Sequence, residues 1–288
     1  MRRGVCFVMA IVFIFCLSPA AFGGTLDEIA KRGEFMVGVR DGAIPFGFYD
    51  SNNQRAGFSL DMAEEFRKAL EEELGKPIKI TFKTVNPKTR IPLVANKTLH
   101  IVCGSSTHTV AREDTVDFTL TIFLTGTQLL VKKGSGITGY KSLPGKRVGA
   151  AQGSTNEKAI RDLNAAGKIK PPADIVVYQE HSQGMLALAK GVVDAYCTDG
   201  ILLAGLRAKA PNPKDYELAG GLITYDPYAY IVRENDSNFR DFINAQIVAM
   251  VKDGRYNKLY YKWFGAKGVV PYPMTNEART LMKLQAWP

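Results

Sequence analysis

Phe35-Met36-Val37-Gly38-Val39, closed by Arg40, is an apolar run of strand length. Leu60, Ala63, Phe66, Leu70 and Leu74 then recur at helical spacing through charged sequence that stops at Gly75, and Ile78-Lys79-Ile80-Thr81-Phe82 supplies a second strand. An amphipathic helix between two strands predicts an α/β fold, a mainly parallel sheet with helices covering both faces. Ligands of such sheets collect outside the carboxyl ends of the strands. Arg40, the stretch after Cys103, and Asp199 all fall at such ends.

Upstream, Thr25-Leu26-Asp27-Glu28 reads as a capping box opening a short helix that stops at Gly33. Downstream, a second βα series follows the polar break Lys132-Lys133-Gly134-Ser135-Gly136. It runs through Lys146-Arg147-Val148-Gly149-Ala150, the turn at Gln152–Glu157, strand Ile175–Tyr178, a helix around Met185–Leu188 and strand Ala195-Tyr196-Cys197. The pattern breaks again near Tyr225-Asp226-Pro227-Tyr228 and is mostly helical from Asn238 to Phe264, with a polar tail closing on Trp287. Two breaks around a central βα unit predict one lobe from residues 24–130 plus 227–288 and an inserted lobe from 131–226, with two crossovers.

Arg2-Arg3, the apolar run Val5–Leu17 and Ser18-Pro19-Ala20-Ala21-Phe22-Gly23 make residues 1–23 a secretory signal peptide. No later stretch has the roughly 18 to 20 consecutive apolar residues of a membrane helix. Removal of residues 1–23, two of them arginine and none acidic, takes the 288-residue chain to 265 and its formal charge from +9 to +7. No Lys/Arg block exceeds two residues and no aromatic residues interleave with basic ones, so nucleic acid is not the expected partner. Cys103 and Cys197 remain after cleavage and could pair in an oxidising compartment; because each closes a strand-like run in a different half, where a bridge would lock motion between the halves, two buried free thiols are the favoured expectation.

Chemistry concentrates between Arg90 and Arg112. Cys103-Gly104-Ser105-Ser106-Thr107 runs out of a strand into hydroxyls, with Arg112 five residues on. Hydroxyls and turn N–H groups donate, and a guanidinium clamps a carboxylate, so the stretch suits a small anion and needs no nucleophile. Gly153-Ser154-Thr155 opens a helix whose free N–H groups and positive dipole end also favour an anion, although Ser154 there equally reads as an ordinary cap. His100, His108 and His181 have no metal-ligand spacing, and nothing in the sequence asks for a cofactor.

The order and spacing of several weak motifs resemble the periplasmic solute-binding proteins of polar amino acid ABC importers over essentially the whole mature chain. They are Pro45-Phe46, Gly57-Phe58-Ser59-Leu60-Asp61, Cys103-Gly104-Ser105, Gly153-Ser154-Thr155 and Asp199. Within that family, Val39-Arg40, Arg90-Ile91-Pro92-Leu93, Ser106-Thr107 with Arg112, His181 and Leu202-Leu203-Ala204-Gly205 are most similar to the glutamate/aspartate-binding group. Ser59 stands where many members are acidic, and Pro87 where the glutamate/aspartate group carries a hydroxyl.

The resemblance implies a type II two-lobed fold that closes on its ligand, a monomer in the periplasm, and an ABC permease at the inner membrane as partner. It places Arg112, Ser105 and Thr107 on the ligand α-carboxylate and Asp199 on the α-ammonium. Arg40, Arg90 and His181 fall to the side-chain carboxylate, with Ser154 and Thr155 at a helix end. The competing readings are a surface Arg112 paired with Glu113 or Asp114, an Arg40 neutralised by Asp41, a solvated Arg90, an Asp199 that caps a helix, and Phe46 and Phe48 as lobe core rather than ligand cover. Three guanidiniums against one carboxylate favour L-glutamate or L-aspartate. A general polar amino acid binder is the alternative. An enzyme is not expected; a dehydratase or lyase on the same fold would need His108, His181 or Glu180 as its base.

Overall fold

The apolar run at residues 35–39 forms the second strand in from one edge of a five-stranded sheet. The computed structural model describes residues 23–286; the segment expected to be a signal peptide, apart from Gly23, and Trp287 lie outside the described residues. The chain begins with α1 (Thr25–Arg32), β1 (Glu34–Val39), a small meander of β2 (Gly42–Ala43), β3 (Gly47–Tyr49) and β4 (Arg55–Ala56), α2 (Phe58–Leu74), β5 (Lys79–Thr84), α3 (Arg90–Ala95), β6 (Ile101–Val102), α4 (Val110–Glu113) and β7 (Val116–Thr125). It continues through β8 (Thr127–Lys132), β9 (Arg147–Ala151), α5 (Thr155–Ala165), β10 (Asp174–Tyr178), α6 (His181–Ala189), β11 (Ala195–Asp199), α7 (Gly200–Ala208) and β12 (Tyr216–Ala219). It returns by β13 (Asp226–Arg233) and ends in α8 (Ser237–Lys252), α9 (Arg255–Phe264) and α10 (Asn276–Gln285).

Two five-stranded sheets result, β5-β1-β6-β13-β7 and β10-β9-β11-β8-β12, beside the three-stranded meander β2-β3-β4. In each five-stranded sheet, three parallel strands are followed by two antiparallel pairings, so that the fourth strand alone runs against the other four. If the strand that enters from the other lobe is left out of the count, each sheet has its second, first and third strands in that order, then the entering strand, then the fourth. This repeated order defines the type II two-lobed architecture. Apolar clusters fill both faces of both sheets.

The chain passes between sheets at Gly126 and again between Ala219 and Asp226. The boundary expected at 130/131 therefore falls inside β8, whose residues 127–132 pair with β11 and β12. The polar break at 132–136 is a turn within the second lobe. Its composition signals a reversal of the chain but does not say which sheet the preceding strand joins.

Local corrections have simple causes. The cap of α1 is Gly24, whose N–H donates to Asp27 Oδ2 at 3.1 Å, so Thr25 is already the first helical residue. Phe46 and Phe48 belong to the first-lobe core; Phe46 meets Phe58, Phe123, Tyr228 and Phe264. The Pro45 and Phe46 carbonyls accept from the N–H groups of Phe58 and Ser59, which ties this loop to the first turn of α2. Gly57 sits between them at φ 144°, where a Cβ would meet the Phe46 carbonyl oxygen at 2.2 Å. Cys103 and Cys197 are free, buried and in separate cores.

His100 is fully buried, and its Nδ1 accepts a hydrogen bond from the Met36 N–H at 3.0 Å. Burial, with Arg233 nearby, lowers its pKa to about 4. The folded state thus holds His100 neutral while the unfolded chain takes a proton at about 6.5, so stability falls as pH drops from about 6.5 towards 4. Thermal denaturation across that range should show the loss, up to about 3 kcal/mol. In His100→Asn, whose Oδ1 can replace Nδ1, this part of the pH dependence should flatten.

Candidate functional site

The carboxyl ends of the parallel strands of the two sheets face each other. From the first lobe, Arg40 follows β1, Arg90 opens α3, and Ser105 and Thr107 follow β6. From the second, Ser154 and Thr155 lie at the start of α5, His181 starts α6, and Asp199 ends β11. These eight residues line one small, tightly closed cavity, together with Pro87, Asn156, Thr198 and Leu202. A more open depression around Lys97, Arg233 and Asp236 lies at the opposite end of β13 and shares none of these residues.

Arg40 is 2% exposed and Arg90 3%. Asp41 is taken by Arg55 at 3.1 Å, and Arg40 instead reaches across the cleft, Nη2 donating to Glu180 Oε2 at 3.1 Å. Arg90 Nη1 donates to the Ser105 carbonyl at 2.7 Å. Arg40 Nε, Arg90 Nε and Ser105 Oγ are buried with no partner among the described residues. Buried donors left unpaired are costly, so these three atoms favour an acceptor in the cavity.

Arg112 does not line the cavity. It is half-buried, and its Nη1 donates to the Thr107 carbonyl at 2.5 Å. Glu113 is engaged by His108 at 2.6 Å, so the surface pair expected as an alternative does not form there. Burial lowers the Arg112 pKa against the opposing pull of Asp226 and Asp199. Burial also holds Arg90 well below its ordinary value, aided by repulsion from Arg112 and Arg40. Arg90 thus feels both neighbouring cations, and a carboxylate brought beside it relieves that repulsion.

Asp199 occupies the cap position of α7, but its side chain makes no cap hydrogen bond. Oδ1 accepts from Asn156 Nδ2 at 2.9 Å, and Oδ2 accepts from the Tyr228 hydroxyl across the cleft. Burial, then repulsion from Asp226, raises the Asp199 pKa to about 7; the Tyr228 and Asn156 hydrogen bonds oppose that rise. A cation beside it would favour the ionised form. Buried His181 has Nδ1 on the Tyr196 hydroxyl at 2.9 Å. Burial, Arg40 and Arg90 push its pKa well down, so it stays neutral.

Ser154 Oγ accepts from the Glu157 N–H at 3.1 Å, fulfilling its cap role while remaining on the cavity wall. Thr107 Oγ1 and Thr155 Oγ1 meet at 3.2 Å across the cleft. The departures from the acidic-ligand pattern separate: Pro87 lines the cavity, whereas Ser59 is fully buried and does not. Sequence reasoning missed Asn156, Tyr228 and Asp226 and saw Glu180 only as a possible base. Asn156 was the most accessible of these, being the next residue of the Gly153-Ser154-Thr155 helix start.

Fold and cavity define a two-lobed cleft binder closed around a small polar site. A family profile for bacterial extracellular solute-binding proteins, family 3, matches residues 35–266, and the chain belongs to that family. It is 33% identical over 274 residues to a glutamate/aspartate import solute-binding protein of Salmonella typhimurium, covering 92% of this chain and 89% of that one. It is 34% identical over 241 residues to an ABC transporter glutamine-binding protein of Bacillus subtilis, covering 83% and 84%. A solved ancestral arginine-binding protein bound to glutamine superposes with a TM-score of 0.74 at 31% identity, over 81% of this chain and 99% of that one.

Closure brings Gly205 of α7 against the first lobe, where an added Cβ would lie 2.3 Å from the Ile44 carbonyl oxygen. In an isolated helix Gly→Ala is stabilising by about 1 kcal/mol. Here Gly205→Ala should leave both lobes folded yet hold them apart, giving a larger radius of gyration in small-angle X-ray scattering. An unchanged radius would mean that the backbone contact yields locally.

Proposed function

We propose that the protein captures an acidic L-amino acid, glutamate or aspartate, between its lobes in the periplasm and delivers it to an ABC permease. The observation that carries this reading is the burial of Arg40 and Arg90 on the cavity wall with Nε atoms that have no partner among the described residues, beside a neutral His181. A side-chain carboxylate there satisfies both donors. Ser105, Thr107 and the start of α5 take the α-carboxylate, with Arg112 holding the Thr107 carbonyl from behind the cavity wall, and Asp199 takes the α-ammonium.

Ligand contacts come from both lobes, so the ligand binds the closed form better than the open one, and that difference drives closure. Micromolar affinity, about −8 kcal/mol, is within reach of a few charge-assisted hydrogen bonds in a desolvated site. Binding rather than catalysis is supported by how the candidate bases are engaged. Glu180 pairs with Arg40, His181 Nδ1 with Tyr196, and His108 stacks on Phe118 outside the cavity.

A general polar amino acid site is the second reading. The Arg40–Glu180 ion pair favours it, because it offsets one of the cations counted from the sequence.

Calorimetric titration of ligand-stripped protein with L-glutamate, L-aspartate, L-glutamine and L-arginine separates the two. On the acidic reading, glutamate or aspartate binds tightly and glutamine weakly, and Arg40→Ala or Arg90→Ala each weakens glutamate by about 10- to 100-fold. Equal binding of glutamine selects the general site, and unchanged glutamate affinity in both variants removes the proposed roles of the two arginines.

Asp199 adds a proton-linked signature. Its raised pKa means that the folded protein holds a proton the unfolded chain has lost, so this group erodes stability as pH rises from about 4 to about 7. A bound ammonium reverses this by favouring the carboxylate. Titrations near pH 6 in buffers of different ionisation enthalpy should therefore report release of up to about one proton, vanishing well above pH 7 and absent in Asp199→Asn.

A further inference from the structure

We propose that Glu180 sets how strongly the cavity prefers an acidic over an amide side chain, by sharing Arg40 with the ligand from across the cleft. This rests on the reading of the cavity as an amino acid site. Arg40 belongs to the first lobe and Glu180 to the second, yet their Nη2–Oε2 separation is 3.1 Å. The carboxylate nearest to Arg40 in sequence, Asp41, is committed to Arg55 Nε and Nη2 and to the Thr84 hydroxyl. Glu180 is the one carboxylate in a salt bridge with Arg40 among the described residues.

Glu180 is held for this task. It precedes His181 at the start of α6, and its backbone N–H donates to Gln183 Oε1 at 3.1 Å. Its Oε2 would lie 3.7 Å from a Cβ placed on Gly42, so the carboxylate rests against the short β2 segment of the opposite lobe. Its side chain is 32% exposed while that of Arg40 is 1% exposed, which puts the acid at the rim and the cation inside. Arg40 is thereby divided: one amino group faces Glu180, and the buried Nε has no protein partner among the described residues.

A ligand carboxylate competes with the Glu180 carboxylate for the Arg40 guanidinium, whereas a ligand amide, with no net charge, gains little from Arg40 and loses little to that competition. Glu180 also bridges the lobes, and that contribution to closure is the same for every ligand. The ratio of glutamine to glutamate dissociation constants cancels the shared closure effect and isolates the electrostatic one.

The test measures both constants by calorimetry for the unmodified protein, Glu180→Gln, Arg40→Gln and the double variant, with Glu180→Ala as a second probe and circular dichroism to confirm folding. Glu180→Gln should raise the glutamine-to-glutamate ratio at least about threefold. On the Arg40→Gln background the same change should leave the ratio where it was. A ratio unchanged or lowered in both Glu180 variants overturns the role of Glu180 alone, as does an equal rise without Arg40. If the unmodified protein binds neither amino acid, the acidic-ligand reading falls and the role of Glu180 falls with it.

Discussion

Burial of like charges between two lobes is the constraint on which the rest of the structure depends. Arg40 and Arg90 are almost wholly removed from solvent, with Arg112 close enough to affect the charge on Arg90. Ions buried without compensation cost several kcal/mol each, so such a group persists only where acceptors are held in place around it. Here they are the Ser105 and Thr107 carbonyls, Glu180 from the other lobe, and Asp199 with Asp226 beyond. A loose loop could not hold this set. Strand ends and helix starts can, and the two sheets present them face to face.

Asp226 links this electrostatic arrangement to the crossings. At the start of β13, its Oδ2 accepts from the Thr127 N–H at 3.1 Å and from the Thr224 hydroxyl. These residues flank the two points at which the chain changes sheets. Gly126 fits closely there, since a Cβ would meet the Thr224 carbonyl oxygen at 2.0 Å. The same carboxylate raises the pKa of Asp199 and draws on Arg112. Crossing and cavity are therefore one charged network, and a change of charge at either reaches the other.

Much of the scaffold was legible because it is local. Leu60, Ala63, Phe66 and Leu70 share a helix face whatever surrounds them, and Phe35–Val39 is a strand because its apolar run is too short for anything else that buries it fully. Candidate ligands of the cavity were legible for a related reason: residues at carboxyl ends of parallel strands converge once the topology is known. What could not be read was pairing across the cleft. Nothing near Arg40 in sequence distinguishes Asp41 from Glu180 as its partner, and nothing near Asp199 announces the Tyr228 hydroxyl. Those contacts exist only when the lobes meet. The misplaced boundary at 130/131 has the same origin, since the alternation in residues 127–132 identifies a strand but not its neighbours.

The sheet orders also impose a sequence of events on a chain that emerges from its amino end. All five strands of the second sheet lie within residues 127–219, so this lobe has its full set of strands before β13 begins at Asp226. The first sheet does not, because β13, residues 226–233, is the strand that sits between β6 and β7. Until that segment arrives, β7 has no neighbour in its own sheet and the apolar faces of β6 and β7 cannot be joined. The lobe that begins first is thus the lobe that finishes last, and its half-built sheet edge is what the emerging chain must keep from pairing elsewhere.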